Sequence, residues 1–176
     1  MLKLCLAYIP AVFAAVFIIG VNPAIAGDAP PASAFFPFVG HWSGKGQFSF
    51  PDGSSAPLTM TMACRKAANG AAVACDLTVR SKGFILDETD LFAIDPATGQ
   101  GHWIAVGSDG GYCDYAAVWS GPATLTSTCR ETKAGETTET LSTSHIVDAR
   151  HLALASTITH DGQESSRFEA DIYKRR

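Results

Sequence analysis

The sequence has no basic run or stripe before its last three residues, Lys174-Arg175-Arg176. Its 13 Lys and Arg stand against 17 Asp and Glu, for a formal net charge of −4. Nucleic acid recognition needs a clustered positive surface, so no nucleic-acid partner is expected. No cysteine pair has C-x2–4-C spacing or a nearby histidine at ligand spacing, which removes a zinc centre. G-x-S-x-G is missing around Ser43 and no strand-to-helix context follows, so that residue reads as a surface serine rather than a nucleophile. The glycines of GSDGG have no lysine or helix beside them to cradle a phosphate. Asp87, Glu88 and Asp90 lack the spacing of an EF-hand loop and read as a solvated strand edge rather than a calcium site. Long helical periodicity is absent throughout. The residues themselves therefore offer no catalytic constellation, no metal site and no cofactor.

What is present begins at the N-terminus. Lys3, a long apolar run and Ala24-Ile25-Ala26 before Gly27-Asp28 have the order of a secretory signal peptide, with cleavage after Ala26. The alternative is an uncleaved membrane anchor, because the apolar run is long. Cys5 sits too early for a lipid anchor. The division is then a signal peptide at 1–26, a spacer GDAPPASA at 27–34, and one domain at 35–176. A periplasmic or secreted protein with no membrane association after cleavage follows, and nothing sets its oligomeric state. Export leaves Cys64, Cys75, Cys113 and Cys129, an even number in an oxidising compartment, where disulfides persist.

Alternation of apolar and polar residues, broken by turn signals, runs through the rest. GHWSGKGQFSF places Trp42, Gly44, Gly46, Phe48 and Phe50 on one face. Two glycines on a buried face mark a bend, a bulge or a close approach. PLTMTMACRK and AAVACDLTVR flank Asn69-Gly70, the dipeptide favouring a two-residue type I′ hairpin. That register sets Cys64 against Cys75, Met62 against Leu77 and Met60 against Val79, with the cysteines in a hydrogen-bonded pair. A hairpin centred on Gly121 sets Cys113 against Cys129. A three-residue loop centred on Asp161 sets Leu154 against Phe168 and Leu152 against Ala170; a two-residue loop there would mix core and solvent faces. The count is ten strands in neighbouring hairpins, preceded by a short helical turn at AFFPFVG. The expected fold is all-β: a ten-stranded antiparallel up-and-down barrel, which removes exposed edges, with a β-sandwich as the alternative.

Three segments carry a resemblance. FVGHWSGKGQFSFP, with its Gly-x-Trp-x-Gly-x-Gly opening, FAIDPATGQGHWIAVGSDGG, and HIVDARHLALASTITHDGQESSRFEADIYKRR resemble the uncharacterised bacterial DUF1579-type group from about Phe35 to the end. That group is similar to the calycins: lipocalins, fatty-acid-binding proteins and haem-binding nitrobindins. The resemblance implies a calycin-like barrel in which Trp42, after Gly40, packs across the closed end beneath Lys174 or Arg176. Nitrobindins hold haem through a histidine on a C-terminal strand; ESSRFEADIYK has none, so haem is not expected.

Three functions fit such a chain: a binding barrel for a small apolar or amphipathic molecule, an enzyme on the same barrel, or a protein-interaction module with a filled core. The first is the expectation. Phe48, Met60, Met62 and Leu77 would line the interior, and Gly44 and Gly46 would leave room in it. Tyr115, Trp119 and His145 would orient the ligand, His145 because it shares the parity of Leu141 and Val147.

Overall fold

A computed structural model describes residues 32–108, 110–133 and 135–176. The expected signal peptide lies outside the described residues. A 3-10 helix, Ala32–Phe38, is followed by β1 (Gly40–Ser49), β2 (Ser55–Ala67), β3 (Ala72–Ser81), β4 (Phe84–Ile94) and β5 (Gly101–Gly107). Then come β6 (Tyr112–Trp119), β7 (Thr124–Lys133), β8 (Glu136–Asp148), β9 (His151–His160) and β10 (Gln163–Lys174). Each strand pairs antiparallel with its sequence neighbours, and β10 returns to β1 to close the barrel. The up-and-down barrel expected from the turn spacing is the fold.

The first hairpin follows its turn chemistry. Asn69 has φ 55° and ψ 32°, Gly70 has φ 89°, and Ala71 N–H donates to the Ala68 carbonyl at 3.1 Å, which is a type I′ turn. Cys64 faces Cys75, Met62 faces Leu77 and Met60 faces Val79. Cys64 and Cys75 form a disulfide with Cα atoms 4.0 Å apart. This is nearer the spacing of a non-hydrogen-bonded pair than the wider spacing that counting from the turn predicts. Ala68, at φ 49°, already leaves the regular ladder, so the facing residues are those expected but the alternation of pair types counted from the turn does not carry through.

Two registers differ from expectation. In the β6–β7 hairpin Ala116 faces Thr128 and Trp119 faces Leu125, two residues from the register that set Cys113 opposite Cys129. Pro122 has no N–H and a fixed φ, so it takes the loop centre in place of Gly121. A shift of two keeps every side chain on its face. Cys113 and Cys129 still form a disulfide, diagonally, with Cα atoms 6.3 Å apart. The β9–β10 turn is the two-residue one: Asp161 and Gly162 both have positive φ, and Gln163 faces His160. The mixing of faces is avoided by a bulge between Glu164 and Ser166, beyond which Ala170 faces Leu154 and Ile172 faces Leu152. The extra residue, Ser165, donates its hydroxyl to the Ile158 carbonyl at 3.1 Å.

The 3-10 helix plugs the end at which β1 begins. Phe35 and Phe38 are buried there against Phe92 and Trp119, with ring centroids 5.5–6.2 Å apart. Trp42, 1% exposed, donates its indole N–H to the Phe38 carbonyl at 2.6 Å, which ties β1 to the plug. Among the described residues, no helix is long and apolar enough to cross a membrane.

Candidate functional site

The two glycines of β1 are accounted for by β10. A Cβ on Gly44 would strike the Asp171 carbonyl and stand 2.7 Å from Ile172 Cα; one on Gly46 would strike the Glu169 carbonyl and stand 2.7 Å from Ala170 Cα. Neither glycine opens onto the interior cavity, so the expected ligand contact at Gly44 and Gly46 is corrected: the backbone of β10 takes the room they leave. Gly40 has φ 135°, and a Cβ there would meet the Lys174 side chain. Lys174 faces Trp42 across the β1–β10 ladder, its Nζ 5.1 Å from the ring centroid. Arg176, two residues further on and beyond the end of β10, is exposed.

Above the plug lies a cavity of about 250 Å³. One wall is apolar. Met60 and Met62 of β2, Leu77 and Val79 of β3, and Phe48 of β1 face inward there, and Phe38, Phe92 and Trp103 line it too. At the far end Phe48 meets Phe84 and Phe168, centroids 6.0 and 5.7 Å away. The other wall carries hydroxyls. Thr140, Ser142 and Ser144 of β8 and Ser156 of β9 face the space, with Ser142 and Ser156 oxygens 2.8 Å apart.

Between the walls, β4 and β6 supply a polar pole. Asp90 is 2% exposed and accepts the Trp103 indole N–H on Oδ1 at 2.6 Å. Burial, reinforced by the charge of Glu88, pushes its carboxyl up to about 8; the Trp103 bond opposes the shift, while a hydrogen bond with Glu88 and the charge of Asp76 add to it. Asp90 thus keeps its proton at neutral pH. Tyr115 stacks on Trp103 with centroids 4.3 Å apart, and burial, with the charge of Glu88, pushes its phenol up to about 12 against a bond to Thr140. Glu88, Asp90, Tyr115 and Thr140 all line the cavity. Among the described residues, no Lys, Arg or His lines it, and no group of three or more His, Cys, Asp or Glu could hold a metal ion.

The expected acidic strand edge is therefore corrected. Asp87 is exposed, but Glu88 and Asp90 turn into the barrel. Parity held the signal, since Leu86, Glu88, Asp90 and Phe92 alternate, but Ile85 and Leu91 on the other face blurred it. His145 is corrected as well: it is exposed on the outer face, with its Nδ1 2.9 Å from the Thr124 hydroxyl. Its companions Leu141 and Val147 are 47% exposed, and the inward parity of β8 is the hydroxyl one. Trp119 does not line the cavity. It packs on Phe35 and Phe38, and its buried indole nitrogen has no hydrogen-bond partner among the described residues. Phe48, Met60, Met62, Leu77 and Tyr115 do line it.

A closed ten-stranded antiparallel barrel with a plugged end and an amphipathic interior is a calycin-like barrel. Solved structures resemble the chain in fold, among them two that cover most of its length. The chain is similar to Rv2717c from M. tuberculosis, with a TM-score of 0.59 and 13% identity, covering 85% of this chain and 100% of that one. It is similar also to the S-type phycobiliprotein lyase of Guillardia theta, with a TM-score of 0.53 and 8% identity, covering 81% of this chain and 90% of that one. At these identities the likeness is one of fold. No family model matches the chain, and no curated protein does.

Proposed function

We propose that the protein is an exported calycin-like barrel that holds one small amphipathic molecule in its interior. The observation that carries this is the cavity of about 250 Å³ between an apolar wall and a hydroxyl-bearing one. Ligand sites run to about 300–1,000 Å³ and combine apolar lining with a few placed polar groups. This one stands near the small end and has that composition. The S-type phycobiliprotein lyase is by its name a lyase of phycobiliproteins, which supports a ligand-handling use of the fold in general. Export is part of the proposal, supported by the Lys3-to-Ala26 pattern and by two disulfides, which persist outside reducing compartments. So is kinship with the DUF1579-type group, which rests on three segments of the sequence, from the Gly40, Trp42, Gly44 and Gly46 opening to the C-terminal hairpin.

The test is titration of the mature protein with the neutral, environment-sensitive dye Prodan. Saturable binding with a blue-shifted emission is expected, and Leu77→Trp, which extends a cavity side chain, should abolish it. Absence of binding, or binding indifferent to Leu77→Trp, would sink the reading. A second reading, an enzyme on the same barrel, is favoured by the convergence of Glu88, Asp90 and Tyr115 in one pocket, where a protonated carboxyl can act as a general acid. Mass spectrometry of a bound molecule before and after incubation separates the two: an enzyme returns it altered.

A further inference from the structure

We propose that the ligand passes into the cavity through a slot in the wall between β6 and β7, at the end away from the plug, and that the Cys113–Cys129 disulfide latches this slot. Oxidised, the barrel exchanges its ligand slowly; reduced by a dithiol, it exchanges it fast. This rests on the binding-barrel reading and adds a control over the same cavity.

The slot arises from incomplete pairing. Every neighbouring pair of strands contributes to closure, yet β6 and β7 are in register only from Ala116–Thr128 to Trp119–Leu125. Toward the unplugged end, Tyr112 to Tyr115 keep their β5 partners and Cys129 to Lys133 their β8 partners, but the β6–β7 ladder does not continue. Ladder hydrogen bonds are what hold neighbouring strands together, so this stretch resists splaying least. Here Cys113–Cys129 spans the two strands diagonally, with Cα atoms 6.3 Å apart, and Tyr115 hydrogen-bonds to Thr140 of β8. The other disulfide is placed differently. Cys64–Cys75 has the continuous β2–β3 ladder on both sides, from Leu58–Ser81 to Ala67–Ala72, so its reduction leaves those strands joined.

Behind the latch lies a vestibule of about 170 Å³, lined by Ala105 and Gly107 of β5, Cys113 of β6, Cys129 and Glu131 of β7 and Thr138 of β8. Leu86, Glu88, Tyr115 and Thr140 line this vestibule and the main cavity alike. The bonded pair Tyr115 and Thr140 therefore stands on the border between the two spaces, beside Cys129, which faces Thr140 across the β7–β8 ladder. Tyr112 and Glu131 are exposed, so the vestibule reaches solvent. On the β1 side of the mouth, opposite β6, the rings of Phe48, Phe84 and Phe168 converge and narrow the way in. The vestibule is the less obstructed route.

The latch is also the more reducible of the two disulfides. Cys64, Cys75 and Cys129 are buried, whereas Cys113 is half-buried and lines the vestibule. Thiol–disulfide exchange needs access to the sulfur attacked. One thiolate of the dithiol attacks Cys113 Sγ; the Cys113–Cys129 bond breaks, and Cys129 leaves as a thiolate and takes up a proton. The second thiol, deprotonated, attacks the dithiol's own sulfur in the mixed disulfide and expels Cys113, which is protonated in turn. The dithiol ends as a disulfide, and the protein has gained two electrons and two protons. Tyr112 to Tyr115 and Cys129 to Lys133 can then part, drawing Tyr115 away from Thr140.

Stopped-flow mixing of the mature protein with Prodan tests the latch. Dithiothreitol is expected to reduce Cys113–Cys129 before Cys64–Cys75, as read by alkylation and peptide mass. The half-reduced protein should take up and release Prodan about tenfold faster, with Kd unchanged to within about twofold. Equal acceleration in both directions is the mark of an opened door, since a loosened pocket raises the off-rate alone. A Cys113→Ser/Cys129→Ser variant should exchange fast with or without dithiothreitol, and Cys64→Ser/Cys75→Ser should stay slow until reduced. Should either variant fold poorly, graded reduction of the parent decides. Rates unchanged on reduction of Cys113–Cys129, a rise confined to the off-rate, or earlier reduction of Cys64–Cys75 overturns the latch and leaves the binding barrel standing. Failure of Prodan to bind either the oxidised or the reduced protein overturns both.

Discussion

Asp90 should make the protein less stable as pH rises, and its removal should reverse that. Its folded-state value is about 8 against an ordinary 3.8, because burial and the charge of Glu88 oppose ionisation. Below pH 3.8 both the folded and the unfolded chain hold the proton, and the group favours neither. Between pH 3.8 and 8 only the folded chain holds it. The unfolded chain gains by ionising, so stability falls by about 1.4 kcal/mol per pH unit. Above pH 8 the folded chain ionises too and the loss levels off. At pH 7 the accumulated cost is on the order of 4 kcal/mol. Asp90→Asn has the shape of the protonated acid and keeps an oxygen for the Trp103 indole N–H, which now stands 2.6 Å from Oδ1. It cannot ionise. Urea unfolding of parent and variant at pH 4, 5.5, 7 and 8.5 should show nearly equal stability at pH 4 and a variant more stable by a few kcal/mol at pH 7. Taking the difference between the two proteins cancels the groups that do not act on Asp90, including Asp52 and Asp95, which hydrogen bonds hold below the ordinary value. A variant less stable than the parent at pH 7, by an amount independent of pH, would refute the reasoning.

Three further predictions concern the closed end and the β1–β10 seam. Gly44→Ala should cost about 3 kcal/mol, because the added methyl meets the backbone of β10, which cannot yield as a side chain would; an unchanged urea midpoint would show that the strands separate freely there. Trp42→Ala removes a ring 1% exposed and its bond to Phe38, and should cost about 3–5 kcal/mol by thermal unfolding. Lys174→Met, which removes only the charge above that ring, should cost about 1 kcal/mol, and a larger loss than for Trp42→Ala would reverse the assigned roles.

The sequence alone determined the elements and most of their neighbours. Alternation with a period of two and turn residues at near-regular spacing are local properties, so ten strands, their order and a barrel closed by the meander could be read without a structure. Asn69-Gly70 demands positive φ at both positions, and that one local demand carried the whole β2–β3 register and its disulfide. Even the anomaly of Gly44 and Gly46 was visible, though not its cause. That cause is the approach of β10, more than a hundred residues away in the chain, and only closure brings it there. Where a turn admits several loops, neighbours decide: Pro122 moved one hairpin by two residues, and a bulge at Ser165 met a conflict of faces that a longer loop could also have met. The inside of the barrel was the least legible part, for a physical reason. Patterning assumes that apolar means inward, which holds for a packed core. On β8 the inward face is Thr140, Ser142 and Ser144, while Leu141 and Val147 point to solvent, so the rule selected His145 on the wrong side. The inversion arises because that strand borders an open, polar space, and the same space receives Glu88 and Asp90. A cavity is defined by what surrounds it from every strand at once, and only the closed tertiary structure supplies that.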